Sequence, residues 1–103
     1  MPLPQSRQLV TQGHIENVAM TLANTEYSYT LPVHTRIFSL RLRDPDNAFK
    51  VSFEAGTSGT EYVTVPGGAE IYQNSMYTVD HTPVTLYFQC TVAGQVAEIV
   101  YWT

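Results

Sequence analysis

The sequence predicts an all-β fold, a single antiparallel β-sandwich or jelly roll of about seven to nine short strands with an extended N-terminal arm. Composition is the first reason. Hydrophobic residues make up 44% of the 103-residue chain and charged residues 14%, too apolar for disorder and too weakly charged for a solvated helical bundle. The second is an aromatic set of seven Tyr, four Phe and one Trp, accompanied by many Thr and Val, residue types that suit a pleated, half-buried surface. Third, short alternating segments recur between turn residues about every 8–12 positions, and no helical period persists beyond about two turns. The length fits one domain, read as an arm over 1–14 and a sandwich over 15–103.

The arm, MPLPQSRQLVTQGH, carries no period of either kind. Pro2 and Pro4 favour extended backbone, and Leu3, Leu9 and Val10 give the segment apolar side chains to lay on a surface. It lies on its own domain or on a neighbour, or it frays. Strand alternation begins after it. Val18, Met20 and Leu22 share one face of a first strand, and Ala23-Asn24-Thr25 reads as a turn. Tyr27, Tyr29 and Leu31 share a face of the second strand, which Pro32 stops. Phe38, Leu40 and Leu42 alternate through the third. The sequence Asp44-Pro45-Asp46-Asn47 is a turn, because proline presets φ and the Asp and Asn side chains bond their own backbone. Phe49, Val51 and Phe53 form the next alternation, followed by a loop over 55–60. Val63 and Val65 mark a short strand ended by Pro66-Gly67-Gly68; Ile71 and Tyr72 open another, and 76–79 are read as one more. The last two strands are 84–91 and 96–102.

Two hairpins can be registered from these segments. With 44–47 as a loop, Leu42 faces Phe49, Leu40 faces Val51 and Phe38 faces Phe53. That register sets Arg41 opposite Lys50, with Arg43 close by. The three form a small basic patch on an acidic chain of net charge −4, suited to an acidic partner surface unless Glu54 or a carboxylate on an adjacent strand neutralises it. With 92–95 as a loop, the reverse face of the C-terminal hairpin carries Tyr87, Gln89, Glu98, Val100 and Trp102. An outward Tyr87, Val100 and Trp102 together mark an interface, unless a second sheet or the arm covers them. A sugar-stacking platform at Tyr87 and Trp102 is the alternative.

Chemistry is sparse. The acidic balance argues against generic nucleic-acid binding, no apolar run reaches the about 20 residues of a membrane span, and the N-terminus has no signal-peptide core. Cys90, the single cysteine, alternates inward with Leu86 and Phe88 and reads as a small buried hydrophobe. His14, His34 and His81 have no metal-ligand spacing. Asp44, Asp46 and Asn47 lack the glycine and closing glutamate of a calcium loop. The expectation is a protein that is not an enzyme and takes no metal or cofactor.

The segments TLANTEYSYTLP (21–32), FSLRLRD (38–44), YVTVPGG (62–68) and LYFQCTVAGQVAEIVYW (86–102) resemble a family of small proteins encoded by tailed bacteriophages. The resemblance spans about residues 18–102 and rests on structural rather than chemical motifs. It departs from the family's pattern at His34, where a small turn residue is expected, and at Cys90, where Ser is usual. It implies a β-sandwich virion component made in the host cytoplasm and placed on the capsid surface. The implied role is a decoration or cement protein contacting the major capsid protein and copies of itself as a trimer or dimer. The interface residues would be Arg41, Arg43, Lys50, Tyr87, Val100 and Trp102, with Pro2, Leu3, Pro4, Leu9 and Val10 of the arm against a neighbour. The alternative is a tail or head-fibre module that binds host carbohydrate.

Overall fold

The computed structural model describes residues 12–73 and 83–103. They contain strands β1 (Gly13–Met20), β2 (Tyr27–Leu31), β3 (Ile37–Leu42), β4 (Phe49–Ser52), β5 (Val63–Val65), β6 (Glu70–Gln73), β7 (Val84–Gln89) and β8 (Gln95–Trp102). The all-β expectation is met, with two four-stranded sheets in the orders β1-β8-β3-β6 and β2-β7-β4-β5. Every paired neighbour is antiparallel. No helix of the described residues is long and apolar enough to cross a membrane.

The pairing has a simple origin. β1 pairs with β8, β2 with β7, β3 with β6 and β4 with β5. The chain is thus one long antiparallel ribbon folded at the β4–β5 connection. Winding that ribbon brings β8 against β3 and β7 against β4, which closes two sheets face to face. Among the described strands, only β4 and β5 are both consecutive and in one sheet; the other successive strands alternate between the sheets.

That winding overturns both registered hairpins. β3 and β4 lie in opposite sheets, as do β7 and β8. Leu40 pairs with Ile71 and Ile99, and Val51 with Val63 and Phe88. The inward faces hold for Phe38, Leu40, Leu42, Phe49, Val51, Leu86, Phe88, Ala97, Ile99 and Tyr101, which are all buried. They meet across the core between sheets rather than side by side within one. An inward-facing set on two successive strands satisfies either geometry, because period 2 fixes the face and not the neighbour.

Other boundaries shift for local reasons. Gly13 and His14 belong to β1 rather than to an arm, and the Thr103 N–H donates to the Gln12 carbonyl at 3.0 Å, carrying the β1–β8 ladder one step further. Residues 1–11, and with them Pro2, Leu3, Pro4, Leu9 and Val10, lie outside the described residues, as does the strand expected at 76–79. β1 ends at Met20, so Leu22 turns outward; β4 ends at Ser52, and Phe53 leaves the core with 57% of its surface exposed. The turn after Ala23 is confirmed by Asn24 at φ 54°, a left-handed conformation that asparagine tolerates. In the 44–47 turn the Asp44 carboxylate accepts from the Asp46 N–H at 2.9 Å and the Asn47 side-chain amide at 3.1 Å. The turn then packs against Gly67, where a Cβ would stand 2.3 Å from the Pro45 carbonyl oxygen. Only glycine fits that contact.

Candidate interaction surface

Antiparallel register sorts the side chains of the first sheet into rows across its outer face. One row is Gly13, Trp102 and Ile37; the next is Ile15, Val100, Ser39 and Tyr72; the third is Asn17, Glu98, Arg41 and Glu70. Two apolar rows therefore border a charged one. Ile15 is 73% exposed, Tyr72 56% and Trp102 40%, while Val100 and Ile37 are half-buried among them. A Cβ on Gly13 would meet the Trp102 ring carbons at 2.9 Å. The glycine thus provides the flat strip on which the indole lies.

The charged row is organised by Glu98. Its carboxylate accepts from Arg41 Nε at 3.0 Å and from Arg43 Nε at 2.8 Å, one oxygen for each guanidinium. Hydrogen bonding from Arg43, reinforced by Arg41, holds the Glu98 carboxyl below the usual carboxylate range against the opposing effect of partial burial. A carboxylate on an adjacent strand, Glu98 rather than Glu54, therefore offsets the charge of Arg41 and Arg43. Both arginines remain exposed, and such pairs contribute about 0–1 kcal/mol each. Their effect is to fix two guanidinium groups beside the apolar rows.

The expected interface set does not assemble as one patch. Val100, Trp102, Arg41 and Arg43 share the outer face of the first sheet. Lys50 and Tyr87 lie on the second sheet, where Lys50 pairs with Gln89 and Thr64, and Tyr87 with Ser28 and Ser52. The same winding that separates the hairpin strands separates these residues. It also divides the Tyr87–Trp102 sugar platform between the two outer faces. Ile15, Ile37 and Tyr72 join the surface without having been anticipated; their outward alternation was visible, but their rows exist only through the β1–β8–β3–β6 order.

The outer face of the second sheet is more polar, with Ser28, Thr30, Thr85, Gln89 and Thr64 in its ladders. The β4–β5 connection over 53–62 folds back against it. Ser58, fully buried, accepts from Gln89 Nε2 at 2.9 Å. The Glu26 carboxylate clasps the connection by accepting from the Gly56 N–H at 2.8 Å, the Ser58 N–H at 3.1 Å and the Ser58 hydroxyl. Those bonds, the Ser58 hydroxyl foremost, lower the Glu26 carboxyl below its ordinary value.

The remaining polar groups serve packing. His14 stacks on Tyr101 with ring centroids 4.9 Å apart, and its Nε2 lies 3.2 Å from the Thr103 hydroxyl. The Tyr101 and Tyr29 hydroxyls are 2.8 Å apart. That bond and burial push Tyr29 up to about 12, stabilising the neutral phenol rather than a phenolate. Cys90 is buried, with its thiol 3.4 Å from the Ala48 carbonyl oxygen. Among the described residues, no three His, Cys, Asp or Glu side chains cluster where they could hold a metal ion.

Two face-to-face sheets wound from one ribbon define a double-stranded β-helix, the jelly-roll class. The solution NMR structure of a de novo designed double-stranded β-helix agrees, with a TM-score of 0.54, 9% identity, and coverage of 90% of this chain and 100% of that one. No protein-family model and no curated protein matches the chain. The likeness establishes the fold alone.

Proposed function

We propose that this protein is a non-enzymatic structural component of a tailed-phage virion, a decoration or cement protein on the capsid surface. It is made in the host cytoplasm, contacts the major capsid protein and copies of itself, and bridges neighbouring shell subunits. The observation that carries this reading is the outer face of the first sheet, where Ile15, Trp102 and Tyr72 stand exposed around Val100 beside guanidinium groups held by Glu98. An apolar centre with an arginine-bearing rim has the composition of a protein–protein interface. The motif resemblance over about residues 18–102 supplies the virion context. Many modest contacts repeated by shell symmetry add up through avidity, and the segment before β1, with its Pro2, Leu3, Pro4, Leu9 and Val10, extends the contact to a neighbour. Carbohydrate binding on a tail or head fibre is the weaker reading, because Tyr87 and Trp102 lie on opposite outer faces.

Rebinding to phage particles stripped of this protein tests the proposal. The Ile15→Ser/Tyr72→Ser variant alters exposed side chains only and should fold normally, yet its affinity for the particles should fall about tenfold or more. Rebinding at the affinity of the unmodified chain would remove this face from the account.

A further inference from the structure

The second sheet carries a separate feature that the docking role does not use. Where β4 ends and its connection to β5 begins, an open groove of about 330 Å³ is lined by Val51, Phe53, Glu54, Thr57, Glu61 and Tyr62, together with Ser52 and Val63. Phe53 and Tyr62 are exposed at 57% and 40%. Nothing about the core requires two aromatics there, and Phe53 has left the core alternation to reach this position.

The polar groups of the groove are biased in one direction. Glu54 and Glu61 are exposed carboxylates, and among the described residues the ion pairs are those of Glu98. The two hydroxyls have already donated their protons, Ser52 Oγ to the Glu54 carbonyl at 3.3 Å and Thr57 Oγ1 to the same oxygen at 2.7 Å. Apart from the Tyr62 hydroxyl, the side chains therefore offer acceptors and aromatic faces. A group with donors, no acceptor and positive charge complements that set; ammonium and guanidinium both qualify, and of the two the planar guanidinium fork both stacks on aromatic faces and pairs with carboxylates. The Tyr62 ring already shows the preference, since the Lys50 ammonium sits 4.7 Å from its centroid. A neutral sugar would bring as many acceptors as donors and leave the carboxylate charge uncompensated.

We infer that this groove binds an arginine side chain from a basic segment of a partner protein, the guanidinium lying against Phe53 and Tyr62 and donating to Glu54 and Glu61. Lys50 is then a competitor for the Tyr62 ring rather than part of a basic docking patch. The clasp of Glu26 on Gly56 and Ser58 holds the connection in place before the ligand arrives, which lowers the ordering cost of binding.

Amide chemical-shift titration of the full chain tests the inference with three probes: acetyl-Gly-Arg-Gly-amide, the same peptide with neutral citrulline, and maltose. The arginine peptide should give saturable shifts at Phe53, Glu54, Glu61 and Tyr62, and the citrulline peptide and maltose should give none. Glu54→Gln/Glu61→Gln should weaken arginine binding about fivefold or more, while Lys50→Ala should bind at least as tightly as the unmodified chain. Equal shifts with citrulline, shifts with maltose alone, or no shifts at the groove would each overturn the inference. None of these substitutions touches the outer face of the first sheet, so failure here leaves the capsid-docking reading standing or falling by its own test.

Discussion

Replacing Glu26 by alanine removes one carboxylate that accepts three hydrogen bonds from the β4–β5 connection. The Gly56 N–H is exposed and can turn to water, so its loss costs little. Ser58 is fully buried, and its N–H and hydroxyl both lose their acceptor. A buried donor left unsatisfied costs about 1–3 kcal/mol, and partial access of water to the Glu26 site lowers the sum. The expected loss is about 2–4 kcal/mol at neutral pH, a large share of the about 5–15 kcal/mol that holds a domain of this size together. The pH dependence follows from the lowered Glu26 carboxyl. A group whose folded value lies below its unfolded value contributes fully above the ordinary carboxylate value of 4.5, and that contribution fades as pH falls through the folded value. Urea unfolding of the two proteins at pH 7 and near pH 3 measures both effects. The gap between them should narrow in acid. A loss under about 0.5 kcal/mol at pH 7, or a penalty that persists unchanged into acid, would refute the clasp.

Further outcomes follow from the same contacts. Phe88→Ala empties the centre of a core position with no exposed surface and should cost about 3–5 kcal/mol by chemical denaturation. Arg43→Ala removes one exposed partner of Glu98 and should change stability by no more than about 1 kcal/mol, with the difference shrinking as salt is raised. Tyr29, pushed up to about 12, contributes stability that is complete below the ordinary value of 10.0 and lost as pH rises through the folded value. Alkaline unfolding should therefore separate the unmodified chain from Tyr29→Phe, with the gap closing at high pH.

The face each residue takes was legible in the sequence, and the sheet to which it belongs was not. Phe38, Leu40 and Leu42 point inward as their alternation requires, and Pro32, the Asp44–Asn47 turn and Pro66 end or follow strands where turn chemistry places them. Pairing followed a different logic. Leu42 and Phe49 flank a short turn, yet they sit in opposite sheets, because winding the ribbon places successive strands face to face rather than edge to edge. The same ambiguity shaped the surface. Arg41 and Lys50 looked like cross-strand neighbours, but Arg41 pairs with Glu98 and Glu70, and Lys50 with Gln89 and Thr64. Outward Trp102 and Val100 were identifiable from their alternation. Ile15 and Tyr72 became their neighbours only through contacts far apart in sequence, which single-strand periodicity does not encode. Phe53 was lost to the core by the end of β4, a local event that the alternation of Phe49 and Val51 gave no sign of.

The virion assignment is tested most directly by the stoichiometry of this chain in purified phage particles, measured by quantitative mass spectrometry against the major capsid protein. A decoration or cement role predicts copies in near-fixed proportion to the shell subunits. A few copies per particle would place the protein on the tail, portal or fibre, and its absence from the particle would contradict the virion role altogether.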